Sequence, residues 1–130
     1  MFSLFGKNKV VVPVIDVAKQ FATHLKYGVP LDDNERGRSG LEFRERFLKE
    51  LDNPDAWKNK DPFIVLDFEG VKRISPSFAY VGFAYFRKYA PAERIEKKIH
   101  KVNLSPIKRF TIDLEVQLFI DQHDPFEYLK

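Results

Sequence analysis

"FIVLDFEGVKRISPSF" (residues 63–78) places two serines, split by a proline, between a buried-looking strand and an aromatic helix. Phe63 to Phe68 offers five apolar residues and one Asp. Near-continuous hydrophobicity predicts an interior strand covered on both faces. Glu69-Gly70-Val71 reads as the turn, and Lys72 to Ile74 carries the chain to Ser75. Ser75 suits the N-cap of a helix, and Pro76 suits the first helical position, where a missing N–H costs nothing. Ser77 then lands one residue further in. The predicted helix runs "PSFAYVGFAYFRKYA" and stops before Pro91. Phe78, Ala79, Val81, Phe86 and Tyr89 share one broad face with Gly82, where another backbone could approach. Tyr80, Ala84, Arg87 and Lys88 lie opposite, with Phe83 on the border.

Downstream, "KKIHKVNL" reads as a strand and "SPIKRFTIDLEVQLFIDQ" repeats the Ser-Pro helix start. There Ser105 caps, and Ile107, Phe110, Leu114 and Leu118 follow helical spacing. Upstream, "NKVVVPVID" reads as a first strand, with Pro13 better suited to an edge or bend than a central position. "DVAKQFATHL" predicts a short helix with Asp16 as N-cap and Val17, Phe21 and Leu25 on one face. In "SGLEFRERFLKELD", Ser39 and Glu42 have capping-box spacing. Leu41, Phe43, Phe47, Leu48 and Leu51 form its apolar face, and Glu42 and Arg46 are i,i+4 neighbours. The order strand, helix, helix, strand, helix, strand, helix predicts an α/β fold: a small, mostly parallel or mixed sheet with helices packed on it.

Composition agrees with one folded domain over residues 1–130. Of the 130 residues, 44% are hydrophobic, and there are thirteen Phe and no Cys. Packing, not disulfides or thiolate metal sites, must hold the fold. No apolar run approaches the roughly 18 residues of a membrane span. The lysines of "MFSLFGKNK" follow a short apolar patch, whereas a secretory leader places them first. The expected setting is the cytoplasm.

The net charge of +3 is unevenly spread. Residues 87–109 hold eight basic residues against Glu93 and Glu96, a balance of +6 that leaves −3 for the rest. A nucleic-acid surface is one reading. A solvated face around a helix end and an edge strand is the simpler one.

Chemistry-bearing motifs are sparse. His24, His100 and His123 are scattered without metal-ligand spacing. Asp121, His123 and Asp124 cluster near the end, where a solvated tail is the simpler reading. No P-loop, G-x-G-x-x-G or G-x-S-x-G occurs, and no nucleophile has a neighbouring base. No catalytic residue, cofactor or metal is expected. Asp67 interrupts an apolar strand at its carboxyl end, either as part of a ligand site or as a carboxylate held by turn amides. Arg36 and Arg38 of the "RGRSG" loop, with Arg44 close by, could clasp a phosphate or carboxylate, and a pocket between that loop and Asp67 could take a small ligand. Ser75 and Ser77 are the candidate switch residues, because a phosphoryl group suits a helix start.

Two motifs carry a resemblance. "SGLEFR" (residues 39–44), with Leu48, and "LDFEGV" (residues 66–71), leading to Ser77-Phe78, resemble the bacterial STAS-like family of unassigned function, related to anti-sigma-factor antagonists. The likeness spans roughly residues 28–120. It implies a non-catalytic regulatory module whose partner is an ATP-binding, histidine-kinase-like protein, and a serine at the helix start that this partner can phosphorylate. The antagonists read close to D-S-S-G there. Lined up on Ile74, this chain reads S-P-S-F, so Pro76 stands where the modified serine would be and Ser77 becomes the candidate. The expected docking face is the junction itself with Tyr80, Phe83, Ala84 and Arg87. Nucleic-acid association through residues 87–109 is the alternative.

Overall fold

Strand β4 (Ile64–Asp67) is the axis of the fold. Ile64, Val65 and Leu66 point alternately to opposite sides, yet all three are buried, so both faces of the strand are covered. The computed structural model describes residues 2–5 and 10–119. In it a four-stranded sheet runs in the order β1 (Phe2–Phe5), β2 (Val10–Asp16), β4, β6 (Ile99–Val102). β2, β4 and β6 are parallel, and β1 is antiparallel to β2. With five α-helices among the described residues, the architecture is α/β, as the alternation predicts.

Pro13 lies inside this sheet, not on an edge. β2 pairs with β1 as far as the Phe2–Pro13 partnership and with β4 only from Val14 onward. Pro13 thus occupies the handover between two neighbours, where one absent N–H costs least.

The helix predicted over residues 16–25 is a single turn, α1 (Val17–Gln20), with the Asp16 carboxylate accepting from the Lys19 amide. The amides of Phe21 and Ala22 both return to the Val17 carbonyl, which closes the turn. Leu25 instead belongs to β3 (His24–Leu25), which pairs in parallel with β5 (Arg73–Ile74) as a separate two-stranded ribbon. Leu25 is buried either way, so the apolar spacing could not separate the two conformations.

Helix α2 (Gly40–Phe47) starts with both arms of its capping box formed: the Ser39 hydroxyl accepts from the Glu42 amide, and the Glu42 carboxylate reaches back to the Ser39 amide. Such a cap stabilises a helix by about 1 kcal/mol. The Glu42 carboxylate also accepts from the Gly37 amide at 2.6 Å, while Arg46 lies over the Phe47 ring. The i,i+4 relation of Glu42 and Arg46 therefore serves other partners.

Helix α3 (Pro76–Gly82) crosses α2 at two glycines. A methyl group at Gly40 would lie 2.7 Å from the Phe78 carbonyl oxygen and 3.0 Å from the Gly82 nitrogen, so the two backbones touch as the sequence suggests. Around this crossing Phe43 meets Phe21, Phe78 and Phe83 with ring centroids 5.2, 5.6 and 5.9 Å away. Past Gly82 the chain does not continue as α-helix toward Pro91. It tightens into a 3-10 helix over Ala84–Lys88, with the Phe86 and Tyr89 amides bonding to the Phe83 and Phe86 carbonyls.

Helix α4 (Ala92–Lys98) precedes β6 and shortens the strand predicted from Lys97. Its Pro91 cap, first-turn Glu93 and last-turn Lys97 and Lys98 suit the helix dipole. Helix α5 (Pro106–Leu118) closes the described chain and begins, as expected, with Ser105 accepting from the Lys108 amide.

Candidate switch and docking site

The start of α3 is built by Ser75. Its hydroxyl donates to the Lys26 carbonyl at 2.6 Å and accepts from the Phe78 amide at 3.1 Å. Its backbone amide bonds the Leu25 carbonyl at 2.8 Å. Ser75 is buried, so cap and tie to β3 together occupy this residue. The segment after β3 seals one side of the turn: a methyl group at Gly28 would lie 3.0 Å from the Ser77 carbonyl oxygen.

The other side is open. Pro76 and Ser77 are exposed at the mouth of a shallow cavity of about 350 Å³, shared with Tyr80, Val81 and Glu115. The Ser77 hydroxyl plays no part in the cap. The turn offers little for holding an anion, however. Pro76 has no N–H, the Phe78 amide is held by Ser75, and the Ala79 amide bonds the Ser75 carbonyl. The junction also sits beyond the ribbon strand β5 and not directly at the carboxyl end of interior β4.

The expected docking face is largely covered. Phe83 and Ala84 are fully buried, which corrects the expectation that they are exposed. Phe83 packs on Phe43 of α2, and α5 packs on α3 and on the 3-10 helix that follows it. Tyr80 is half-buried, 5.7 Å from the Phe119 ring. Arg87 is half-buried and donates to the Val116 and Gln117 carbonyls at 2.6 and 3.3 Å, so it caps the last turn of α5.

The arginines and Asp67 do not converge. Arg36 pairs with Asp33 in the open at 3.2 Å, and Arg38 donates to the Asn34 carbonyl at 2.7 Å. Arg44 turns inward, donating to the Val81 carbonyl at 2.7 Å. Asp67 accepts from the Glu69 amide at 3.0 Å and the Asn103 side-chain amide at 2.9 Å, the turn-held carboxylate that its position allowed. The expected arginine clasp, and the ligand pocket between it and Asp67, are thus corrected to four separate local roles.

The basic segment is similarly engaged. Six of its eight basic side chains find partners within the chain: Arg87 and Arg94 on carbonyls, Lys88 on Tyr85, Lys98 on Asn59, and Lys101 and Arg109 on Glu96. Lys101 is the extreme case, with a side chain 2% exposed; burial pushes its ammonium below the ordinary lysine range despite Glu96 beside it.

Among the described residues no group of three or more His, Cys, Asp or Glu could hold a metal ion. His123 and the Asp121–Asp124 cluster lie outside those residues. Among them, too, no helix is long and apolar enough to cross a membrane.

Sequence reasoning missed an acid–phenol cluster between Asp52 and the 3-10 helix. The hydroxyls of Tyr85 and Tyr89 both donate to Asp52 Oδ1, at 2.8 and 2.6 Å, and Lys88 donates to the Tyr85 hydroxyl. Partial burial works to raise the Asp52 carboxyl, but the bonds from Tyr89 and Tyr85 and the charges of Lys88 and Arg44 hold it below its ordinary value. Asp52 lies 33 residues before Tyr85, and no local pattern joins them.

A family profile described as a STAS-like domain of unknown function matches residues 39–109. The match opens on the Ser39 capping box and closes in the first turn of α5. No curated protein and no solved structure matches the chain.

Proposed function

The chain belongs to the family of STAS-like domains of unknown function, and from that premise we propose that it is a non-catalytic, cytoplasmic regulatory module that binds a histidine-kinase-like ATPase. The observation that carries this reading is the division of labour at the α3 start. Ser75 is buried and consumed as a cap, while Ser77, one residue past Pro76, presents a hydroxyl to solvent. The docking surface we propose is the open rim of Pro76 and Ser77, with the exposed edge of Tyr80.

Phosphorylation of Ser77 would add about −1.5 to −2 charges at this rim. The same shallow cavity is lined by Glu115 of α5. Like charge there opposes any acidic partner surface. Ser77 thus acts as an off switch for binding in this proposal.

The experiment is capture from native lysate with immobilised wild-type chain and with Ser77→Asp, the bound proteins being identified by mass spectrometry. Wild type is expected to recover an ATP-binding protein of the kinase-like class, and Ser77→Asp is expected to lose it. Recovery of no such ATPase overturns the partner. Equal recovery by both overturns the switch.

A further inference from the structure

Helix α5 wears its apolar residues on the wrong side for a monomer. Ile112 and Val116 face the core and are buried. Ile107, Phe110, Leu114 and Leu118, spaced to form one row, are 79%, 65%, 41% and 65% exposed. The row runs along most of the helix. Together these side chains leave on the order of 500 Å² of apolar surface in water, toward the upper end of what a monomer shows and a large part of the roughly 800 Å² one partner gives to a standard interface.

The charges beside the row indicate what covers it. Lys108 and Glu115 lie seven residues, two turns, apart and so share one flank of the row. Among the described residues neither side chain is in an ion pair. A two-fold axis near residues 111–112 that runs two such helices antiparallel brings Lys108 of each copy to Glu115 of the other. The helix dipoles then also oppose, and the apolar row meets itself. A surface that is self-complementary in this way is what an isologous dimer requires.

We propose that α5 is a homodimerisation element: two copies of this chain pair antiparallel through Ile107, Phe110, Leu114 and Leu118, with reciprocal Lys108–Glu115 ion pairs. This does not rest on the switch at Ser77. It leaves Pro76 and Ser77, on α3, outside the apolar contact, with Glu115 bordering both the ion pair and the cavity at Ser77.

Sedimentation velocity of the full chain over a wide concentration range is the test. Wild type is expected to form a dimer. Phe110→Glu, at an exposed position that leaves the core untouched, is expected to weaken it by at least about thirtyfold, because a central anchor is lost twice per dimer. Lys108→Glu and Glu115→Lys are each expected to weaken it about fivefold, and the double swap to restore it to within about twofold. A chain that stays monomeric throughout, whatever else covers the row, overturns the proposal. So does a dimer insensitive to Phe110→Glu, or a double swap no better than the single ones.

Discussion

The guanidinium carbon of Arg44 lies 3.5 Å from the centre of the Tyr85 ring, while its Nη1 donates to the Val81 carbonyl at 2.7 Å. One buried cation thereby fastens α2 to both ends of the break between α3 and the 3-10 helix. Burial lowers its proton affinity, and Tyr85, Asp52, Glu45 and Tyr89 work against that. Arg44→Lys keeps the charge but loses the planar stack and shortens the reach. It is expected to destabilise the fold by about 2 kcal/mol, with Arg44→Ala costing about 3, since the Val81 carbonyl is then stranded. Urea denaturation of the two variants measures this.

Gly40 has no room for a side chain. Gly40→Ala must push apart α2 and α3, since the neighbouring atoms at 2.7 and 3.0 Å are both backbone. The expected loss is about 2 kcal/mol, despite the better helix propensity of Ala. A thermal melt that shows Gly40→Ala equal to or above wild type would mean the helices do not cross here.

The Asp52 cluster makes stability depend on pH. The folded-state pKa of Asp52 is lowered, so its contribution is present above the ordinary value of 3.8 and is lost as pH falls through the folded value. Tyr89 is shifted the other way, raised by burial and by its bond to Asp52, so its contribution is present below the ordinary value of 10.0 and fades as pH rises beyond it. Asp52→Asn is expected to be less stable than wild type at pH 7, with the gap closing below about pH 4. Denaturation midpoints at pH 7 and pH 3 check the sign.

Lys101 is held in the core at a cost. Its folded-state pKa is lowered, so below that pKa the buried ammonium opposes folding, and the opposition fades as pH climbs toward the ordinary 10.5. Lys101→Met removes the charge while Arg109 keeps Glu96 paired at 3.2 Å. The variant is expected to match or exceed wild-type stability at pH 7. A loss above about 2 kcal/mol would show that the Glu96 bond outweighs burial.

The parts of this fold that are local were legible in the sequence. Three helix starts announce themselves through side chains that cap their own backbone: Ser39 with Glu42, Ser75 with Pro76, and Ser105 with Pro106. β4 shows itself by an unbroken apolar run. Helix α4 carries an equally local signature in Pro91, Glu93 and Lys97, directly before the more obvious strand.

What depends on distant residues was not legible. Leu25 has the spacing of a helix and the position of a strand, and only pairing with Ile74 decides between them. Phe83 and Ala84 looked open because a helical wheel of α3 knows nothing of α2 and α5. The row from Ile107 to Leu118 has the spacing of a helix face, but Ile112 and Val116 are the residues that meet the body of the protein, which spacing does not decide. At the candidate site, the cap role of Ser75 was readable, whereas its bond to the Lys26 carbonyl, 49 residues away, was not.

We propose that the exposed start of α3 binds an ATPase under the control of Ser77. Calorimetric titration of the captured ATPase with wild-type chain and with Ser77→Asp tests it most directly. The expected result is binding by wild type that weakens at least about tenfold in Ser77→Asp while the thermal melts of the two chains coincide. Equal affinities, or an ATPase that binds neither, would contradict it.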